Sequence, residues 1–157
     1  MDACSLLKRE HQKLKNSFSK YERIDAREGK KRMDAFKGIK KAIEFNFDLE
    51  EESFYPMLNS NSLEMDMLMF QALRDHEEIR NLLKDLSERY PFEKEFSGEM
   101  KLLSDRLRSH LSQEERKVFK KARELIPGES LKELGEDLEM KREELYLFDR
   151  EALEINV

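Results

Sequence analysis

The sequence has no tryptophan, a single cysteine, and only 5 glycines and 3 prolines among 157 residues. One cysteine excludes a framework of internal disulfides and is typical of the reducing cytoplasm, where we expect the protein to act. No stretch approaches the ~20 apolar residues of a membrane-spanning helix, and Met1–Lys20 lacks the apolar core of a signal peptide. We therefore expect no membrane partner.

Charged residues are abundant instead, at 41%, and the formal net charge is -5. An excess of negative charge disfavours nucleic acid as a partner. The stretch Arg27–Lys41 is nevertheless locally basic. A solvated helix face is the simpler interpretation of that stretch, and an anionic partner is the alternative. The scarcity of glycine and proline, together with the high charge, predicts a single all-α unit.

Apolar residues recur every three or four positions along almost the whole chain, which is typical of amphipathic helices. The spacing predicts four long helices: Ala3–Tyr21, Lys30–Leu58, a third ending near Arg89, and a fourth running through Met100 to about Ile126. Short turns between them favour an up-down-up-down four-helix bundle in residues 1–128. Residues 129–157 are predicted to form a short fifth helix and a tail packed on the same domain.

Local signals predict where these helices begin and end. Pro56 is expected to kink or end the second helix, because proline has no N–H to donate. Asn61 with Glu64 has the spacing of a capping box and predicts the start of the third helix. Ser130 with Glu133 has the same spacing and predicts the start of the fifth.

Polar residues interrupt the apolar faces of the predicted helices at a few positions only. The chain has three histidines, and each lies inside the apolar stripe of a different helix: His11, His76 and His110. In the second helix Asn46 and Glu50 break the stripe. Glu114 follows His110 in the fourth helix at the same four-residue spacing, which places both members of a pair on one helix face.

These buried polar groups require partners, because an unpaired buried carboxylate costs several kcal/mol. A single core histidine is commonly satisfied by one hydrogen bond, but here every interrupting group would need its own partner. One bound cation would satisfy all of them together. Because each group lies near the middle of its helix, the up-down topology brings them into one layer, and we predict a metal site there. Cys4 is about 10 Å along the first helix from His11, so we interpret it as a core thiol.

The order of these motifs resembles the hemerythrin-like HHE cation-binding family over nearly the whole chain. The residues that carry the resemblance are His11, Asn46 to Glu51 followed by Phe54-Tyr55-Pro56, Asp75 to Ile79, and His110 to Glu115 followed by Val118-Phe119. In that family a non-haem di-iron centre lies inside the bundle, with histidines capping the irons and glutamates bridging them. The resemblance implies the ligands His11, Glu50, His76, His110 and Glu114.

Two positions depart from the family pattern. Asn46 stands where the family usually has a histidine, and we include it among the candidate ligands. An amide oxygen is a weaker ligand with a shorter reach, so one iron should be held more loosely. His76 is flanked one turn away by Ala72 and Arg80, where oxygen-carrying members have a second histidine. Reversible oxygen transport is therefore disfavoured.

The expected function is iron binding, as a pair of ions, with oxygen or redox sensing or iron handling as its use. Imidazoles and carboxylates suit iron, and manganese or zinc are alternatives. Dioxygen or another small oxidant is the expected small-molecule partner. No separate nucleophile and base are visible, which disfavours a hydrolase and leaves redox catalysis open. The alternative function is a helical interaction or regulatory module whose metal is structural, mononuclear or lost, and Asn46 supports it.

Overall fold

The structure, a computed structural model, describes residues 1–91 and 94–155, with side chains as far as residue 148. Two five-residue π-helical turns interrupt the described helices, a first π turn at Glu50–Phe54 and a second π turn at Glu114–Val118. The α-helices are α1 (Ala3–Glu22), α2 (Gly29–Leu49), α3 (Tyr55–Leu58), α4 (Leu63–Ser87), α5 (Lys94–Gln113), α6 (Phe119–Leu125) and α7 (Gly128–Ile155).

The bundle has four long helices, of which α1 is the first and α4 is the third. The second bundle helix consists of α2, the first π turn and α3, and the fourth consists of α5, the second π turn and α6. Helix α1 packs against α2 and α5, while α4 packs against α2 and α5, which closes the bundle. Helix α7 lies outside it, against α1 and the first π turn. The predicted all-α bundle with an additional C-terminal helix is confirmed. None of the described helices is long and apolar enough to cross a membrane.

Two helix starts follow from local side-chain hydrogen bonds, and the predicted cap of α4 is wrong. The Asp2 carboxylate accepts the Ser5 N–H at 2.8 Å and caps α1. Helix α4 begins after Ser62, whose hydroxyl accepts the Met65 N–H at 3.0 Å. Asn61, the predicted cap, instead donates to the carbonyls of Met57 and Leu58 at the end of the preceding helix. Its side chain is therefore engaged in ending one helix and cannot begin the next.

Two further predicted boundaries have different outcomes. The second bundle helix ends at Leu58, as predicted, and Pro56 does not end it, because Pro56 lies in the first turn of α3, where a missing N–H does little harm. Helix α7 begins at Gly128, before the predicted cap Ser130. The Leu131 N–H donates to the carbonyl of Pro127 at 3.1 Å, which places Ser130 inside the first turn.

Helix α7 contacts the start of the chain closely and runs to Ile155, through most of the predicted tail. Leu131, Leu134 and Leu138 are buried against the bundle. Gly135 allows the close approach, because a Cβ at this position would lie 2.9 Å from the Ala3 nitrogen. Backbone atoms on the facing chain cannot rotate away, so only glycine fits here.

A polar layer divides the apolar core into two clusters. The first cluster joins the start of α1 to α3, α6 and α7 and includes Leu7, Leu58 and Val118. The second joins the rest of α1 to α2, α4 and α5 and includes Leu14, Ile79 and Leu107. The side chains between the two clusters are buried and polar: His11, Asn46, Glu50, His76, His110 and Glu114.

Candidate metal centre

Four side chains in the polar layer converge on a small volume. Glu50, His76, His110 and Glu114 are all buried, and each offers a ligand atom within 4.8 Å of the others. The two glutamates begin the two π turns, His76 lies in the middle of α4, and His110 lies near the end of α5. Three different bundle helices therefore hold the cluster, so its geometry depends on the packing of the whole bundle.

The contacts inside the cluster pair each imidazole with a carboxylate. His76 Nε2 lies 3.1 Å from Glu50 Oε2, and His110 Nε2 lies 3.1 Å from Glu114 Oε2. The two Nε2 atoms are also 3.1 Å from each other. Four potential ligand atoms thus face one another at the centre of the bundle.

The outer nitrogens of the same imidazoles contact a second set of carboxylates. Glu51 Oε2 lies 3.1 Å from His76 Nδ1, and Asp75 Oδ2 lies 3.1 Å from His110 Nδ1. A carboxylate at Nδ1 favours the proton there and turns the Nε2 lone pair inward. Two inward lone pairs at hydrogen-bonding distance repel each other unless a proton or a cation lies between them. This arrangement fits a bound metal ion.

His11 joins the cluster through Glu50. Its Nε2 lies 3.2 Å from Glu50 Oε1, and its Nδ1 lies 3.4 Å from Glu115 Oε1. Phe119 stacks on the imidazole with ring centroids 5.6 Å apart. The outer carboxylates follow one rule. Each is adjacent in sequence to a residue of the cluster, yet serves an imidazole on another helix.

Asn46 is buried one turn before Glu50, but its amide turns partly away. The Asn46 Nδ2 donates to the carbonyl of Ala42 in its own helix at 3.3 Å. Its Oδ1 is buried and has no hydrogen-bond partner in the described part of the chain. Glu114 Oε1 is in the same condition. Buried acceptors without donors are rare, and both oxygens suit a divalent cation.

Tyr55 is a site residue that sequence reasoning missed. Its hydroxyl lies 2.8 Å from Glu50 Oε2, 2.9 Å from Glu114 Oε2 and 3.3 Å from His76 Nε2. The phenol has one proton, so it donates to one carboxylate at a time. Burial, reinforced by the negative charges of both glutamates, raises the pKa of Tyr55 well above its usual value. The hydroxyl therefore remains a neutral donor between two carboxylates.

The two buried glutamates have opposite charge preferences. Burial disfavours the charge on Glu50, but hydrogen bonds to His11 and His76 outweigh it and hold the pKa of Glu50 well below its usual value. Burial and repulsion from Glu50 together raise the pKa of Glu114. Without a metal ion, Glu50 is therefore the preferred site of negative charge, and Glu114 is the carboxyl that more readily takes a proton.

The imidazoles respond to the same excess of carboxylate. Burial favours neutral His11, but the carboxylates of Glu115 and Glu50 outweigh it and raise the pKa of His11 to about 9. Burial likewise disfavours the charge on His110, but Asp75 and Glu114 raise its pKa to about 10. The layer thus attracts positive charge, as protons or as a metal cation.

Comparison with known proteins agrees with this site. The family model of the hemerythrin HHE cation binding domain matches residues 2–122, and the chain therefore belongs to that family. The crystal structure of a hemerythrin HHE cation binding domain-containing protein from Mycobacterium kansasii has the same fold, with a TM-score of 0.81. It is 23% identical, and the match covers 92% of this chain and 86% of that one. A search of curated sequences gave no significant match.

Proposed function

We propose that the chain binds iron, as a pair of ions, in the polar layer of its bundle. The observation that carries the proposal is the convergence of two imidazoles and two carboxylates within 4.8 Å, all of them buried. His11 lies against Glu50, and Tyr55 contacts both glutamates. This is more potential ligand than one tetrahedral zinc ion uses.

The chain's residues divide the work of holding the ions. Glu50 and Glu114 would hold and neutralise them, while His11, His76 and His110 would supply nitrogen ligands. Glu51 and Asp75 fix the orientation of two of these imidazoles. The Asn46 oxygen completes the set at the weaker position. Bound iron would supply one-electron chemistry toward dioxygen or a related oxidant.

A small opening between α4 and α5 supports a small oxidant as the partner. A cavity of about 10 Å³ lies against His110 and Glu114, walled by Leu68, Ala72 and Val118. This volume is at the lower limit for one water molecule, so the site has no room for a large organic substrate. We infer that the site serves oxygen or redox sensing, or iron handling, and that it acts in the cytoplasm.

The test is the metal content of protein produced with iron and zinc both present. We expect more than one and up to two iron ions per chain, with an absorption band typical of an oxo-bridged iron pair. His110→Ala should lower the content, whereas Ser109→Ala, a substitution at the exposed neighbouring position on the same helix, should leave it unchanged. A single stoichiometric zinc ion would contradict the proposal.

A second candidate is a helical interaction module with one structural metal ion. Two observations favour it: one ion would satisfy a group of four ligand atoms within 4.8 Å, and the Asn46 amide is engaged with Ala42. Asn46→Ala separates the two functions. In the di-iron protein this variant should lose part of its metal, whereas a mononuclear site formed by the other residues should keep its ion.

A further inference from the structure

A second cavity lies at the other end of the second core cluster, away from the metal centre. It has a volume of about 410 Å³ and is formed by α1, α2 and α5. Its apolar walls include Phe18, Tyr21 and Met100, and its cationic walls include Arg32, Lys101 and Arg108. Met100 precedes His110 by ten residues, which is about 15 Å along the helix. Arg108 precedes His110 by only two residues, but residues two apart lie about 200° apart around an α-helix, so Arg108 and His110 are on different faces of α5. The cavity and the polar layer therefore lie on different faces of this helix.

The two arginines at this cavity are held by neutral oxygens. Arg32 donates to the Ser97 hydroxyl at 3.0 Å and to the Ile24 carbonyl at 3.3 Å. Arg108 donates to the Ser104 hydroxyl at 3.1 Å and to the Lys15 carbonyl at 3.5 Å. These contacts position the guanidinium groups without neutralising their charge.

Several other arginines of the chain pair directly with carboxylates. Arg9 contacts Glu139 at 2.7 Å, and Arg123 contacts Asp2 at 3.2 Å. No ion pair of this kind joins Arg32 or Arg108 to a carboxylate of the described residues. A partly buried guanidinium without an anion is expected to accept one, since guanidinium and carboxylate groups match in geometry.

Further donors at the cavity lack acceptors. Tyr21 is 6% exposed, and its hydroxyl has no hydrogen-bond partner in the described part of the chain. The Arg32 Nε is buried and also without a partner, and the guanidinium lies 5.6 Å from the centre of the Tyr21 ring. Buried donors are normally satisfied, so this wall has hydrogen-bonding capacity left for a ligand.

We propose that this cavity binds a small organic monoanion, with its carboxylate at Arg32 and Arg108 and its apolar body against Phe18 and Met100. Glu22 and Asp105 also line the cavity, so positive charge exceeds negative by one. That balance favours a singly charged ligand over a multiply charged phosphate. This proposal corresponds to the alternative interpretation of the basic stretch Arg27–Lys41, in which that stretch contacts an anion. Arg32 is half-buried at the cavity, whereas most lysines of that stretch are exposed.

Isothermal titration calorimetry of the metal-loaded full chain tests the proposal, with benzoate as the probe. Benzamide has the same shape without the charge, and we expect it to bind at least about tenfold more weakly, because a charge-assisted hydrogen bond is lost. Inorganic phosphate should bind more weakly than benzoate. If the wild-type protein binds benzoate and benzamide with equal affinity, or binds phosphate more tightly than benzoate, the proposal is wrong.

Variants locate the binding. Arg32→Gln and Arg108→Gln should each weaken benzoate about tenfold or more, with metal content unchanged. Arg116→Gln is the matched control, because Arg116 also donates to a serine hydroxyl four residues earlier on the same bundle helix but lies on the exposed surface. Its affinity should equal that of the wild type. If both cavity variants bind benzoate as tightly as the control, the ligand lies elsewhere and the proposal is wrong.

Discussion

The second and fourth bundle helices have the same backbone plan at the metal centre. In each, a glutamate begins a π turn, Glu50 in one and Glu114 in the other. In each, a polar residue precedes the glutamate by one helical turn, but the residue is Asn46 in the second helix and His110 in the fourth. The same spacing thus carries an amide on one side of the site and an imidazole on the other.

The residues that follow the two π turns also differ. Tyr55 follows the first and donates its hydroxyl into the cluster, whereas Phe119 follows the second and stacks on His11. The second helix therefore gains a hydroxyl where it lacks an imidazole. The same π turn, with different side chains before and after it, therefore gives the two sides of the metal centre different chemistry.

The glutamates themselves show the effect of this inequality. Glu50 contacts two imidazoles, at 3.2 Å and 3.1 Å, and its pKa is lowered. Glu114 contacts one imidazole, keeps one oxygen without a hydrogen-bond partner, and has a raised pKa. Their different neighbours, and not their backbones, decide which carboxyl holds the charge.

Metal removal should have the largest effect, because the ions would make the two glutamates equivalent. At a thousandfold excess of free metal over its dissociation constant, binding stabilises the fold by about 4 kcal/mol. The chelated protein should therefore melt well below the loaded protein. Thermal melts before and after chelation under reducing conditions check this. Equal melting temperatures would mean that the site is not coupled to the bundle.

Glutamine substitutions in the chelated protein test whether Glu50 and Glu114 differ in their charge. Glu50→Gln should cost about 3 kcal/mol, because it removes the anion shared by two buried imidazoles. Glu114→Gln should cost less than half as much, because that carboxyl already resists ionisation. Urea unfolding at neutral pH measures both. Equal losses would show that the two carboxylates are equivalent without metal.

Substitutions of Tyr55 and Phe119 test the aromatic residues that follow the two π turns. Tyr55→Phe should cost about 2 kcal/mol, because two buried carboxylates lose their shared donor. Phe119→Tyr should cost a similar amount for the opposite reason, since it adds a hydroxyl beside the apolar ring of Phe54. Denaturant unfolding of the loaded variants provides the measurement. An unchanged stability of Phe119→Tyr would show that the added hydroxyl finds a hydrogen-bond partner, and would contradict this prediction.

Asn46→His should make the two helices alike. If the site holds the proposed pair of ions, an added imidazole ligand should slow the loss of the weaker ion at least tenfold, which corresponds to about 1.4 kcal/mol. His110→Ala should instead empty the position that the proposal assigns to the tighter ion. Iron per chain after timed dialysis against a chelator compares both variants with the wild type. An unchanged release rate for Asn46→His would place residue 46 outside the metal's reach.

The pH dependence of stability in the metal-free fold provides a further test. His11 and His110 have pKa values raised to about 9 and about 10 in the metal-free fold, above the ordinary 6.5 of the unfolded chain. Raised values stabilise the fold fully below pH 6.5, and this contribution disappears as pH rises through 9 and 10. Chelated protein should therefore lose stability over this range. Loaded protein, whose imidazoles hold metal in place of protons, should not show the same loss.

The sequence was sufficient to predict the bundle and most of the polar layer. Buried histidines and glutamates stood out because they interrupted apolar stripes. Tyr55 did not, because residues five apart lie about 140° apart around an α-helix. The first π turn brings Tyr55 to the side of Glu50, where its hydroxyl contacts the carboxylate. An analysis that assumes 3.6 residues per turn throughout does not predict this shift in side-chain direction.

The outer carboxylates were visible but not assigned. Glu51, Asp75 and Glu115 each adjoin a candidate ligand in sequence, and such acidic pairs are a usable signal. Their partners lie on other helices, so pairing required the three-dimensional arrangement. The Asn61 cap failed for a local reason. Asn61 and Ser62 are both good capping residues, and the spacing to Glu64 favoured Asn61, although Ser62 is the cap.

The division of the apolar core has a consequence for how the protein opens. The layer between the two clusters consists of buried charged and polar side chains, which cost free energy to keep away from water when no cation is bound. A bound ion would join several chain segments at this plane and so couple the two ends of the bundle. In the chelated protein we expect the two ends to become separate units of hydrogen exchange, with the end that contains α7 opening independently of the end that contains the second cavity.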